Sequence, residues 1–582
     1  MILQALNDLY GRLARDEESG IPRRGYSAGK IGFCLVLDND GTLVAVEDVR
    51  DHSGKKPVPR IVEIPEAVKR ASGIAANFLC DNPGYVLGLD DKGKPERALA
   101  TFEAFKAKQR EVAGDVDDEG MQAVLAFLDS WSPARGDTLQ HREDMAAANL
   151  TFRLDGERRF VFERPSVTCA WQKYKESNAS RIEAFCLVSG ETRPVARLHP
   201  AIKGVRGSQT TGAALSSFNI PSFLSYDKEQ NYNAPVGEAE AFAYTTALNH
   251  LLARGSRRRV QVADATTVFW AERKSGFEEL FGLVLDPAEV EDDSATAVRL
   301  KSFLEAVRQG RRPPEIAADA DVRFYVLGLA PNASRLAVRF WCVDTVAEMS
   351  RRLGEHFADL EIERRYPSEP EFPSPRQLLL DLAPLHDYER IPPPLAAALL
   401  RAVMGGGRYP AGLLAAAITR IRADHEVTRL RAGVIKACLA RSARLDHKPE
   451  VFTVSLDTEN RNAGYLMGRL FAVLEKAQQD ALPGINATIK DRFFGAASAT
   501  PAAAFPRLIR LAQHHMAKAE YGAASDRRLA EVMEQIEDFP AHLSLEDQGR
   551  FALGYYQQRN TFYPKKNAKD AQPAATPAIQ ED

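Results

Sequence analysis

Residues 31–49 read IGFCLVLDNDGTLVAVEDV. Ile31–Leu37 is an apolar run, and Asp38-Asn39-Asp40-Gly41 supplies residues that tolerate a turn. Leu43–Val49 is a second strand-favouring run, so the stretch predicts a β-hairpin with a short loop. Upstream, Ile2, Leu6, Leu9 and Leu13 share one face at helical spacing and predict an amphipathic helix over residues 2–15. Downstream, residues 95–130 read as helical, with Phe102, Phe105, Val124, Leu125 and Leu128 as buried candidates. Leu150–Leu154 and Arg159–Glu163 flank Asp155-Gly156 and predict a second hairpin. Further strands are expected over 181–189 and 260–270, and a helix over 238–253. Phe324–Leu329 and Arg335–Val343 predict a strand pair turning at Pro331-Asn332. Beyond Ile391 and the rigid Pro392-Pro393-Pro394, strand signals almost vanish, with Val451–Leu456 the one expected exception. The remainder alternates Ala/Leu/Arg-rich helices with breaks at Gly405-Gly406-Gly407, Pro483-Gly484 and Phe539-Pro540.

The implied fold class is α+β: a mixed α/β N-terminal region followed by an all-helical C-terminal bundle. The expected segments are 1–320, a mixed α/β connection over 321–395, a bundle over 396–564, and a polar, non-periodic tail over 565–582 expected to be disordered. A chain of 582 residues exceeds one ordinary domain. Hydrophobic residues at 45% and charged residues at 27% fit a soluble globular protein. Lys+Arg number 76 against 79 Asp+Glu, a net charge of −3, which excludes a polycation; any nucleic-acid site must be a local patch. The six Cys form no CxxC, which argues against a zinc knuckle or a disulfide framework and for reduced thiols in a cytoplasm. The N-terminus lacks a signal-peptide pattern, and no uncharged apolar run is long enough to predict a membrane span.

The most unusual segment is 197–260, which holds eight Lys/Arg against four Asp/Glu inside this near-neutral chain. Gly204, Gly207 and Gly212 allow close backbone approach, and Lys203 and Arg206 supply charge. Ser208, Gln209, Thr210, Thr211, Asn219, Gln230, Asn231 and Asn233 carry hydroxyl or amide groups able to read base edges. A plain surface loop accounts for the same composition. A second basic cluster comprises Arg23, Arg24, Lys30, Lys55, Lys56 and Arg60, which is either a solvated face or one wall of a duplex channel. Arg254 to Arg259 reads equally as a solvated helix end or as phosphate contacts.

Enzyme signals are weak. Gly25-Tyr26-Ser27-Ala28-Gly29 matches GxSxG, but it is neither preceded by a strand nor followed by a helix, so a nucleophile elbow is not expected. Asp38 and Asp40 fit a metal pair or simple turn chemistry. His514 and His515 are adjacent on a helix and point to different faces. Trp171, Tyr174, Trp270 and Trp341 fit base stacking or, more simply, buried core.

Longer phrases carry a resemblance. MILQALNDLYGRL at the start, GYS at 25–27, GKKPVPR at 54–60, SGIAANFLCDNPGYVLG at 72–88, IKGVRGSQTTGAALSSFN at 202–219, YDKEQNYNAP at 226–235, the 465–515 stretch and FPAHLSLEDQGRFALGYYQQR at 539–559 resemble one family. That family is the large subunit of the type I-C CRISPR effector complex, Cascade. The resemblance implies a non-catalytic subunit of an RNA-guided antiviral surveillance complex, with no cofactor and no metal. Such a subunit recognises a short protospacer-adjacent motif in duplex DNA, helps open the strands, stabilises the R-loop and supports recruitment of a helicase-nuclease. Its implied partners are the guide RNA, the backbone, foot and small subunits, double-stranded target DNA and the helicase-nuclease, and no membrane. The C-terminal bundle resembles the small subunit, which such systems make from an internal start, and a fragment from near Met467 is expected to fold alone.

On this reading Lys203, Arg206, Gln209, Thr210 and Thr211 meet the motif duplex. Asn219, Lys228, Gln230, Asn231 and Asn233 contact bases or the separating strands. Lys55, Lys56, Arg257 and Arg258 add phosphate contacts, and Gly73 with Asn77 forms either a second contact loop or a tight core turn. Arg461, Arg469, Lys490, Arg492, Arg507 and Arg510 guide the displaced strand or are ordinary helix-surface charge. A metal-dependent nuclease built on Asp38 and Asp40 and a DNA-free scaffold are the rival readings.

Overall fold

The computed structural model describes residues 1–563 apart from 55, 69, 71–72, 91–92, 147, 179, 181, 287–293, 367 and 521. Lys55 and the 565–582 tail therefore lie outside the described residues. The chain divides into two units, Met1–Ile202 with Ser216–His250, and Lys203–Leu215 with Leu251–Asp582.

In the first unit the helix Ile2–Leu13 forms as its periodicity predicts, burying Leu6, Leu9 and Leu13. Four strands follow: β1 (Tyr26–Ile31), β2 (Phe33–Leu37), β3 (Leu43–Asp48) and β4 (Arg60–Pro65). The expected hairpin is β2–β3, antiparallel. Gly41 at its turn has φ +81°, and a Cβ there would lie 2.6 Å from Ala123 O and Phe127 N. Only glycine lets the turn rest on the helix Glu119–Ser130. Asp38 Oδ1 accepts the N–H groups of Asp40 (3.1 Å) and Thr42 (2.7 Å), so this carboxylate stabilises the turn.

Residues Leu150–Leu154 form β5, which pairs in parallel with β2 to give the order β3-β2-β5. Every residue of β2 is buried, which explains its unbroken apolar run. The second expected hairpin does not form. Asp155-Gly156 does turn the chain, but Phe160, Val161 and Phe162 are all buried, which a half-exposed strand with alternating faces does not permit. Val161–Glu163 is instead a 3-10 turn, the Glu163 carboxylate accepts Phe160 N–H (2.7 Å), and Pro165 opens the helix Pro165–Ser177. β1 and β4 pair as a separate antiparallel ribbon. Ser27 sits inside β1 opposite Ile64, so the GxSxG match is no nucleophile elbow. Trp171 stacks between Phe78 and Tyr174 (5.3 and 5.7 Å) and donates to Gly25 O (2.6 Å), a core role. Among the described residues of the strand expected over 181–189, β6 (Glu183–Phe185) is the part that forms; it pairs with β7 (Thr192–Pro194). The helix Glu238–Leu251 completes the unit.

The second unit is built on the antiparallel sheet β11-β10-β9-β8. Its strands are β8 (Arg259–Val262), β9 (Ala265–Ala271), β10 (Arg323–Asn332) and β11 (Arg335–Thr345). The single strand expected over 260–270 is thus a hairpin turning at Ala263, whose φ is +51°. The 323–345 pair turns at Ala333, and Pro331 and Asn332 belong to β10. β9 and β10 are hydrogen-bonded neighbours, so the segment limit expected near residue 320 falls inside one sheet.

The helices Phe277–Leu285 and Val346–Leu360, with those that follow, share one apolar core with the sheet. Among the described residues no strand lies beyond Thr345, in keeping with the helical back portion. Val451–Leu456 is irregular rather than a strand: Val454 O accepts Glu363 N–H (3.0 Å) from the chain just past the helix Val346–Leu360, and Thr453 O accepts Gln557 Nε2 (2.9 Å) from the helix Leu545–Asn560. The helices Ala463–Ala481 and Leu545–Asn560 pair closely, with Tyr465 donating to Gln557 Oε1 and Tyr555 to Glu475 Oε2, both 2.6 Å. No helix among the described residues is long and apolar enough to cross a membrane.

Candidate nucleic-acid interface

The 203–215 segment is a loop anchored at two apolar points, Val205 and Ala213, both buried. Between them the backbone turns twice: Ser208 N–H reaches Val205 O (3.1 Å) and Gly212 N–H reaches Gln209 O (2.9 Å). Gly204, Gly207 and Gly212 all have positive φ, which explains the glycine spacing. Gly204 is the most constrained, because a Cβ there would lie 2.7 Å from Leu252 O. Arg206 N–H donates to Thr266 Oγ1 (3.0 Å), and Thr266 donates to Gln261 Oε1 (2.9 Å), tying the loop to the β8–β9 hairpin. Ala214 N–H and Leu336 N–H then bond the loop end to the β10–β11 turn (3.0 and 2.9 Å). Tyr388 holds the β8–β9 turn by accepting Ala263 N–H (2.7 Å). Burial pushes its phenol pKa up, while the Ala263 N–H and the charges of Arg376 and Arg206 oppose that rise.

With the backbone fixed, Lys203, Arg206, Gln209, Thr210 and Thr211 all project into solvent. The five expected motif contacts are thus displayed together on one rigidly based loop. Cationic, amide and hydroxyl side chains on a glycine-cornered backbone provide both phosphate contact and hydrogen-bond readout.

The 216–233 segment behaves differently. Asn233 Oδ1 accepts Ser225 N–H (2.8 Å), and its Nδ2 donates to Lys228 O and Gln230 O (2.8 Å each). Gln230 Oε1 accepts from Arg197 (2.8 Å). Asn231 is 1% exposed, and its Nδ2 reaches Ser216 O at 3.4 Å. These three amides fold their own loop, and the expectation that Asn231 touches a base is corrected: its side chain is inside the fold. Asn219 and Lys228 remain exposed. The tip also presents Tyr226, 93% exposed at φ +54°, which the amide-centred sequence reading passed over.

The other candidates separate cleanly. Lys56 is exposed. Gly73 is exposed with open space around its Cα, whereas Asn77 Oδ1 accepts Val68 N–H (2.9 Å) and serves the local turn. Arg257 is exposed, with a long 3.3 Å ion pair to Glu279. Arg258 pairs at 2.9 Å with buried Glu278, which also accepts Ala271 N–H, so Arg258 is a structural cation. Arg469 is buried and donates to Gln558 and Gln535, so it guides no strand in this fold. By contrast Arg507, Arg510, His514 and Lys518 form an exposed line at three- and four-residue spacing on and just past the helix Pro501–Met516, which contains no acid. Arg507 lies 5.4 Å over the Phe493 ring, and among the described residues these four side chains make no ion pair. His514 was legible in the sequence only as a poor metal ligand; its alignment with the arginines is the signal that was missed. No group of three His, Cys, Asp or Glu capable of holding a metal ion occurs among the described residues.

The geometry defines an α+β chain with a solvent-displayed cationic loop on a sheet-anchored base. Over residues 6–563 the sequence matches the family described as CRISPR-associated protein (Cas_Csd1). The chain belongs to that family and is thereby a Cascade-type large subunit. No curated protein matches it.

Proposed function

We propose that this chain is the non-catalytic large subunit of a type I-C surveillance complex, and that the 203–212 loop reads the protospacer-adjacent motif in duplex DNA. Guide pairing reads the long target sequence, so the protein needs only a short-motif reader and help in opening the strands. The observation that carries this reading is the display of Arg206, Gln209, Thr210 and Thr211 on a backbone pinned at Val205 and Ala213. Arg206 and Lys203 supply phosphate contact; Gln209, Thr210 and Thr211 supply base-edge hydrogen bonds. The line from Arg507 to Lys518 then holds single-stranded DNA as the R-loop grows, through salt-sensitive contacts. The assembled complex, with guide RNA and the other subunits, binds the target and presents it to the helicase-nuclease.

The test is a pair of variants in the assembled complex. Gln209→Ala is expected to weaken binding to motif-bearing duplex by about 1–3 kcal/mol and to leave motif-free binding unchanged. Arg206→Ala is expected to weaken both alike and to lower the salt slope by about one unit. Equal losses on the two duplexes with Gln209→Ala refute base reading by this loop.

A further inference from the structure

Within the second unit, groups far apart in sequence join into one hydrogen-bond chain. Arg206 N–H donates to Thr266 Oγ1 (3.0 Å), and the Thr266 hydroxyl donates to Gln261 Oε1 (2.9 Å). The other end of the same amide, Gln261 Nε2, donates to Ala263 O (2.8 Å). Ala263 N–H then donates to the Tyr388 hydroxyl (2.7 Å). Each donor meets an acceptor in turn, and each bond polarises the next. Thr266 is fully buried, so water does not replace its bonds, and Gln261 is engaged at both ends of its amide.

The centre of this chain is strained. Ala263 has φ +51°, a left-handed conformation that a Cβ disfavours. Gln261 holds its carbonyl and Tyr388 holds its N–H, so the turn keeps a conformation that alanine alone does not choose. Tyr388 is itself delivered on a fixed loop. Ala383 and Ile391 bury its two ends, and Asp387 accepts Glu389 N–H (3.0 Å) and Arg390 Nε (3.1 Å) on either side of it. The Arg376 guanidinium lies 5.3 Å from the centre of the Tyr388 ring, and the Arg206 charge also reaches the phenol. The far end of the 203–215 loop is held independently, by Ala214 N–H to Ser334 O (3.0 Å) and Leu336 N–H to Ala214 O (2.9 Å).

We propose that Tyr388 is a positioning residue for the motif-reading loop: through Ala263, Gln261 and Thr266 it fixes the Arg206 backbone, and with it the seat from which Arg206 and the residues after it are displayed. The role in recognition rests on the reading of the 203–212 loop as the motif contact; the seating is a property of the free chain and is measured without DNA. Tyr388→Phe keeps the ring packed on the core and removes the acceptor of Ala263 N–H, so the strained turn loses its clamp and the Arg206 end of the loop is released.

The experiment follows hydrogen exchange of the full-length chain by mass spectrometry. Tyr388→Phe is expected to speed exchange over residues 204–211 about fivefold or more, the change that one lost hydrogen bond brings. Exchange over 213–218 and 335–338, at the independent anchor, is expected to stay as in wild type. Thr266→Val cuts the same chain one link from Arg206, so the double variant Tyr388→Phe/Thr266→Val is expected to exchange no faster than the faster single variant. In the assembled complex Tyr388→Phe is expected to weaken motif-bearing duplex about fivefold and to leave motif-free duplex unchanged. Wild-type exchange over 204–211, equal acceleration at both anchors, or additive effects in the double variant overturn the proposal. Faster exchange over 204–211 with unaltered motif affinity upholds the seating and overturns motif reading by the loop instead.

Discussion

Gly204→Ala is the substitution whose effect the loop geometry fixes most directly. Gly204 has φ +91°, and its ideal Cβ lies 2.7 Å from Leu252 O and 3.2 Å from Leu252 Cβ. A left-handed backbone costs a non-glycine residue about 1–2 kcal/mol. Relieving the overlap costs a further 1–3 kcal/mol or so, because Leu252 O is itself held by Arg259 (2.9 Å). The local cost is therefore about 2–5 kcal/mol. The chain has a competing escape: the Gly204 end of the loop moves off its seat, giving up the Arg206 N–H to Thr266 bond, worth about 1 kcal/mol net, and the burial of Val205, worth about 1.5–3 kcal/mol. The main consequence is a smaller population of the seated loop, and a binder whose competent state is depleted loses affinity in proportion. We expect motif-duplex affinity of the assembled complex to fall at least tenfold, with the melting temperature lowered by only a few degrees. Gly255→Ala is the control, since Gly255 also has positive φ (+85°) but open space around it and lies outside the loop. It is expected to lose a comparable few degrees and no affinity. The two assays are duplex binding by fluorescence anisotropy and differential scanning calorimetry. Full affinity in Gly204→Ala refutes the claim that a seated loop is required.

His356 is fully buried, with Nδ1 2.6 Å from the Tyr409 hydroxyl, and burial together with the Arg441 charge pushes its pKa down to about 3. Its pKa in the unfolded chain is higher, near 6.5, so its contribution is complete at neutral pH and is lost as pH falls from about 6.5 toward 3. Between pH 7 and pH 4.5 it is expected to remove about 2–3 kcal/mol of stability, and a His356→Gln variant is expected to show a flatter acid limb in urea titrations. A fragment starting at Met467 loses the Tyr465–Gln557 hydrogen bond and strips Leu414, Ile435 and Leu439 from around Gly549. It is expected to be helical by circular dichroism but to melt well below a fragment starting at Pro393, and equal melting refutes the shared core.

The sequence revealed elements whose signal is local. Ile2–Leu13 and the β2–β3 hairpin follow from spacing and turn residues within 20 positions. It failed where the partner is distant: β5 pairs with β2 across more than 100 residues, and Arg159–Glu163 reads as a returning strand only if the depth of burial at Phe160 to Phe162 is ignored. The site divides in the same way. Lys203 to Thr211 combine charge, amides and glycines, and the structure displays that set. Gln230, Asn231 and Asn233 present the same chemistry to a reader of sequence, but a loop of this length has backbone groups to satisfy and uses these amides to do so. Arg258 and Arg469 are indistinguishable from surface cations until Glu278 and Gln558 are seen beside them.

The most direct measurement places a photo-crosslinking residue at position 209 of the full-length chain, assembles the complex and adds duplex carrying the motif. A crosslink confined to the motif base pairs and lost on motif-free duplex is the predicted result. A crosslink to another protein subunit, or no dependence on the motif, contradicts the assignment of this loop to DNA.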